Sequence, residues 1–263
     1  MSWWFFPPAT QEVQLDEKWS FVQKKEKHCD AANPADARRG DNWDHVAFDP
    51  EHRLVLATVP GKRSAEKVEA LVTDVKKRLA GRVPRLITTD EFPPYKQAIL
   101  NAYSTRTTPA PTGKPGRPRQ AVPVPLPQLN YATVHKTRAK GRVISVTLET
   151  VFGGVAAVTA ALGMSKAGHK INTDFIERHN GTDRNRNSRK VRKTYGFSKD
   201  WDTHEAMGYF TMYSYNFCWP VRTLRTRGDD DHWSDRTPAM SAGLADHVWT
   251  LAEWLALPVC HTT

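Results

Sequence analysis

Apolar and polar positions alternate unevenly through EVQLDEKWSFV, where Val13, Leu15, Trp19, Phe21 and Val22 mix with Asp16, Lys18 and Ser20. This imperfect alternation predicts a strand over 13–22 with one ionisable face, and it places Asp16 inside that strand. HVAFD and RLVLATV flank the short break Pro50-Glu51-His52, so two further strands, 44–49 and 53–59, follow as an antiparallel hairpin. The period then changes. In SAEKVEALVTDVKKRLA (64–80), Val68, Leu71, Val72, Val75 and Leu79 fall on one helical stripe. Ser64 caps its first amides, Glu66 sits at the positive end, Lys76–Arg78 at the negative end, and Gly81 supplies the stop. RLITTD predicts a strand over 85–89 lying against the first and ending on Asp90, and PPYKQAILNAY begins a second helix. Strand and helix in this order predict an α/β fold, a mixed sheet covered by helices.

The texture changes over 104–142, which carries seven prolines and eight Lys/Arg with no Asp or Glu. Its prolines exclude helix interior and sheet centre, so 104–128 is an extended excursion, read either as a solvated connector or as a segment lying along phosphates. Within it, GKPGRPR holds the Gly-Arg-Pro core of a minor-groove hook. ATVHKTR and RVISVTLETVFG form a hairpin around Lys140-Gly141, and VAAVTAALGM is either a helix or a packed connector. Asn172 or Thr173 caps the segment containing Glu177. The helix-compatible run 202–219 is expected to place Met207, Phe210, Tyr213, Tyr215 and Phe217 in the core. The tail predicts a docked short helix with Val248, Leu251 and Trp254 on a shared face.

Charge narrows the partners. Lys+Arg 38 against Asp+Glu 28 gives +10, which favours polyanions such as nucleic acid. No run approaches the roughly 18 apolar residues of a bilayer span, so no membrane partner is expected. The N-terminal apolar stretch stops at Pro7-Pro8 and lacks a basic flank, which is not the pattern of a signal peptide. Cys29, Cys218 and Cys260 share no CxxC spacing, and a cytoplasmic setting fits them.

Asp16 within a strand and Asp90 at a strand end are the residues that need a chemical reason, because a buried unpaired carboxylate costs several kcal/mol. Glu177 is the third candidate, since Phe175 and Ile176 would pack its helix on the sheet. Three carboxylates suit Mg²⁺ or Mn²⁺, and two such ions about 4 Å apart serve phosphodiester chemistry. Residues 178–199 hold eight Lys/Arg against Asp183 alone. The DNA contacts expected from the basic tracts are Arg117, Arg119, Lys136, Arg138, Lys140, Arg178, Arg184, Arg186, Arg189, Lys190, Arg192 and Lys193, acting on phosphates rather than bases. Asp183 is expected to be a solvated member of the basic run. No GxGxxG, Walker-type Lys-Ser/Thr pair or GxSxG is present, and RGDDDHWSD lacks calcium-loop spacing and reads as an exposed turn.

QLDEKWSFV, LITTDEFPPY and NTDFIERHNGTDRNRNSRKVRKTYGFSKD together resemble the bacterial insertion-sequence transposases of the IS1 type, with a DDE catalytic domain. The resemblance spans about residues 11–255 and extends to GKPGRPR and RTPAMSAGLADHVWTLAEWL. It implies a ribonuclease-H-like, five-stranded mixed sheet over 11–220, interrupted by the basic excursion at 104–130, with a C-terminal extension over 221–263. It implies that Asp16, Asp90 and Glu177 are the catalytic, metal-holding triad, with Mg²⁺ or Mn²⁺, two ions when DNA is bound. The implied activity is strand cleavage followed by 3′-hydroxyl joining, on insertion-element ends and target DNA. A homo-oligomeric complex, an upstream end-recognition module, separate or fused, and a bacterial nucleoid-associated location go with it. A ribonuclease-H-like nuclease without strand transfer and a non-catalytic DNA-binding relic are the alternatives.

Overall fold

The computed structural model describes residues 8–110, 119–140, 142–229 and 231–256. Strand β1 (Glu12–Val22) runs between β2 (Gly40–Asp49) and, after helix α1 (Ala65–Arg78), β4 (Leu86–Thr89). β3 (Leu54–Gly61) pairs with β2, and the first three strands are antiparallel, as the sequence predicts. β4 lies parallel to β1, in the register Leu15↔Thr89. Helix α2 (Pro94–Ala102) and the two-stranded ribbon β5 (Ser104–Thr107) and β6 (Val122–Pro125) precede β7 (Tyr131–Ala139), which is parallel to β4. β8 (Arg142–Phe152) closes the order β3-β2-β1-β4-β7-β8. The fold is therefore α/β, with a mixed, partly parallel sheet flanked by helices. The sheet has six strands rather than the expected five, because the hairpin from Tyr131 to Phe152 stays paired along its length. Beyond Val134 it projects as a ribbon whose Ile144, Val146 and Leu148 are exposed.

Helix α1 begins and ends where its residues dictate. The Ser64 hydroxyl accepts from the Lys67 amide, and Gly81, at φ +78°, donates its amide to the Lys76 carbonyl. The buried Val68, Leu71, Val72 and Val75 lie against Val13, Leu15, Leu54, Leu56 and Ile87. Helix α3 (Val155–Gly163) resolves the ambiguity over VAAVTAALGM in favour of a helix, with Val158 and Ala161 clustered with Leu86. On the sheet face opposite α1, α4 (Asp174–Arg186) and α5 (Trp201–Cys218) set Ile176, Met212 and Tyr215 against Val46, Phe48 and Val55. Of the five aromatic and Met residues expected in the core, Tyr215 and Phe217 are buried, while Met207, Phe210 and Tyr213 are half-buried. β9 (Thr226–Arg227) and β10 (Trp233–Ser234) make the exposed turn predicted around RGDDDHWSD. Two short helices, α6 (Pro238–Ser241) and α7 (Leu251–Ala256), end the described chain. The tail docks differently from its predicted face: Leu251 is exposed, and Trp249 and Trp254 reach Phe217 and Phe210, at ring distances of 4.6 and 5.3 Å. Only six residues of α7 are helical, so Val248 lies outside the helix that was to align the three.

The ionisable face of β1 is buried. Lys18 is 1% exposed and lies 3.2 Å from Asp44, its cross-strand neighbour, while its ammonium also contacts Asp183 of α4. Lys190, in the helical turn Ser188–Lys190, is wholly buried and sits 2.8 Å from Asp44 and from His204 Nε2. The Thr211 hydroxyl donates to Asp183. Two expectations are thereby corrected. Lys190 is not a surface contact for DNA, and Asp183 is not solvated, because each neutralises a charge that the other elements bring inside. Burial works to raise the Asp44 carboxyl, but Lys190 and Lys18 outweigh it and hold it well below the usual carboxylate range. Removing one member strands the rest: D44N should cost about 3–5 kcal/mol, seen as a lower urea midpoint. R189A, in the same basic run but outside the network, should move stability by less than about 0.5 kcal/mol.

Candidate metal centre

Parallel pairing of β1 with β4 decides where the two aspartates meet. Asp16 and Asp90 each follow the last registered pair, Leu15↔Thr89, so they stand side by side at the end of β4. The chain turns into α2 at Asp90, whose Oδ1 accepts from the Phe92 amide at 3.2 Å. One oxygen each from Asp16, Glu17 and Asp90 lie within 4.8 Å of one another, a geometry that could hold a metal ion. All three ligands are hard oxygens, the donor set of Mg²⁺, Mn²⁺ or Ca²⁺ rather than of zinc.

Glu17 is the functional candidate that sequence reasoning passes over. Alternation puts it on the opposite face of β1 from Asp16. β4, however, ends opposite Leu15, which leaves the edge of β1 open beside Glu17. The acidic pair Asp16-Glu17 was the available signal. Arg63 donates to Glu17 at 3.0 and 3.2 Å, lies 4.0 Å from Asp90, and covers the Phe92 ring.

Glu177 lies in the first turn of α4, and its helix is docked by β1 itself. The Gln14 side chain donates to the Asn172 carbonyl at 2.8 Å and accepts from the Ile176 amide at 3.0 Å. One turn on, Asn180 donates to Asp16 Oδ2 at 2.7 Å. Glu177 lines the same cleft of about 630 Å³ as Asp16, Glu17 and Asp90 but is not a member of the close set of three. It accepts from Lys136 Nζ at 2.5 Å and from the Thr173 hydroxyl at 2.7 Å.

The electrostatics follow from this crowding. Desolvation, and then Asp90, Glu17 and Glu177, push the Asp16 carboxyl up to about 7. Burial and the neighbouring acids also raise Glu17 and Asp90, against the lowering effect of Arg63. A cluster in which ionisation is resisted is the environment that a divalent cation relieves.

The basic residues divide. Lys136, Arg184 and Arg192 line the cleft. Arg119, Lys140, Arg178 and Lys193 are exposed away from the cleft lining, and Arg189 is half-buried. Arg186 stacks on Trp219 at 4.0 Å and on Tyr215, outside the cleft lining. Arg117 and the Arg138 side chain lie outside the described residues. Among the described residues, no helix is long and apolar enough to cross a membrane.

The chain matches no protein-family model, and no curated protein resembles it significantly.

An acid whose folded pKa exceeds its unfolded value keeps a proton that the unfolded chain has already released. Stability of the metal-free protein should then fall as pH rises from about 4 to about 7 and level off above that. D16N should match the parent near pH 4 and exceed it by roughly 2–4 kcal/mol at pH 8, measured by urea unfolding with chelator present. A difference that does not vary with pH would contradict this assignment.

Proposed function

We propose that this cleft is a metal-dependent phosphodiester-cleaving centre acting on nucleic acid. The observation that carries the reading is the convergence of Asp16, Glu17 and Asp90 within 4.8 Å in a cleft that also holds Arg184 and Arg192. The donor set fits a hard divalent cation, with Asp16, Glu17 and Asp90 as its holders and Glu177 as the acid beside them. Divalent ions bound there supply activation of the attacking hydroxyl and stabilisation of the leaving oxygen. Asn180 fixes the orientation of Asp16 through its amide. Arg63 balances Glu17 and limits the net charge of the cluster. Arg184 and Arg192 pair with the substrate backbone, which sets register without reading bases.

Acids on the first strand, after the fourth strand and on a later helix are also the distribution implied by the resemblance to DDE transposases. That likeness extends the proposal to a ribonuclease-H-like core and to joining by the freed 3′-hydroxyl. Hydrolytic cleavage rests on the cleft; strand transfer rests on the resemblance.

The test is a labelled DNA duplex and a matching RNA–DNA hybrid incubated with Mg²⁺ or Mn²⁺. D16N and D90N should each lose about a thousandfold in rate, the factor that about 4 kcal/mol of charge stabilisation gives. Cleavage without joining identifies a nuclease, and joined products identify strand transfer. Binding without cleavage by the parent rejects the catalytic reading in favour of a DNA-binding relic.

Phosphate contacts are checked separately by salt titration. The double variant R184A/R192A should weaken binding to unrelated duplexes alike, and the slope of log K on log salt should fall by about two. K190M should leave that slope unchanged, whatever it does to stability.

A further inference from the structure

Glu177 is the one acid of the expected triad that stands outside the close carboxylate set, and the structure contains the reason. Its Oε1 takes the Lys136 ammonium at 2.5 Å. Lys136 also lies 3.7 Å from Asp174 and 3.4 Å from the Thr173 hydroxyl, so one lysine of β7 clamps the first turn of α4. The same side chain, 21% exposed, forms part of the cleft wall beside Arg184 and Arg192. It therefore faces two anions in turn: the carboxylate it now holds, and any backbone phosphate entering the cleft. Phosphate competes well for an ammonium group.

We infer that Lys136 is a positioning residue that holds Glu177 apart from Asp16, Glu17 and Asp90 until a nucleic-acid phosphate takes the lysine and releases the carboxylate to the cation-holding set. The inference rests on the metal-dependent reading above and deepens it by making completion of the centre conditional on substrate. With Lys136 on Glu177, the close set offers a cation three carboxylates; with Lys136 on phosphate, Glu177 is free to join them as a fourth. Cation affinity is thereby coupled to substrate, and by reciprocity substrate affinity is coupled to the cation.

Calorimetric titration with Mn²⁺ alone tests this on the full chain, without reference to turnover. K136M keeps the aliphatic stem and removes the charge, and should bind Mn²⁺ about two- to fivefold more tightly than the parent, the range that loss of one partly exposed ion pair allows. K136R, which keeps the clamp, should behave as the parent. In the E177Q background the K136M gain should disappear, because the released carboxylate is no longer there to be used. A short phosphodiester duplex should tighten Mn²⁺ binding to the parent and have little further effect on K136M. A gain that persists in K136M/E177Q arises from general charge removal and overturns the inference, as does unchanged affinity in K136M. D16N separates the two levels: if it loses Mn²⁺ while K136M equals the parent, only the clamp fails. If D16N binds Mn²⁺ like the parent, the metal centre itself fails, and the clamp with it.

Discussion

Lys18 occupies the middle of the sheet with its ammonium removed from water, and the aspartates that neutralise it come from β2 and α4. A lone buried charge of this kind is prohibitive, so β1 becomes tenable only when the C-terminal half of the chain has closed over it. Asp44 links Lys18 to Lys190, and Lys190 in turn meets His204 of α5. Elements separated by well over a hundred residues are thereby held in one arrangement. The site inherits that rigidity, because Asp16 lies two residues from Lys18 on the same face of β1, and Asn180 three residues from Asp183 on α4. Charge burial in the support and charge crowding in the cleft are neighbouring parts of one strand–helix contact.

The cleft works by the opposite device. Its carboxylates are partly desolvated and crowded together, and ionisation of Asp16 is resisted accordingly. Arg63 and Lys136 each balance part of the excess, one at Glu17 and the other at Glu177. A network that is fully neutralised holds the fold, and a set that is incompletely neutralised offers binding energy to a cation.

Local signals made most of the fold legible. Helix α1 was readable from its stripe, its Ser64 cap and Gly81, and the first hairpin from its short turn, because each depends on residues close in sequence. Asp16 and Asp90 were legible as a pair because a strand bearing an acid and a strand ending in one gain a common purpose when parallel. What stayed hidden depended on distant partners. Nothing near Lys190 marks it as buried; Asp44, which holds it, lies 146 residues away. Asp183 looked like a member of a charged run for the same reason. Glu17 was concealed by the alternation rule, which assigns faces along a strand but does not register that the neighbouring strand stops.

β5 and β6 pair from Ser104↔Pro125 to Thr107↔Val122, which closes the path of the chain between α2 and β7 before it returns to the sheet. The closure separates the chemistry at Asp90 and Lys136 from the length of whatever joins Thr107 to Val122. Insertions and deletions between those two residues leave the spacing of the sheet untouched. A difference in length beyond the paired ends is consequently not passed through β5 and β6 to Asp90 and Lys136.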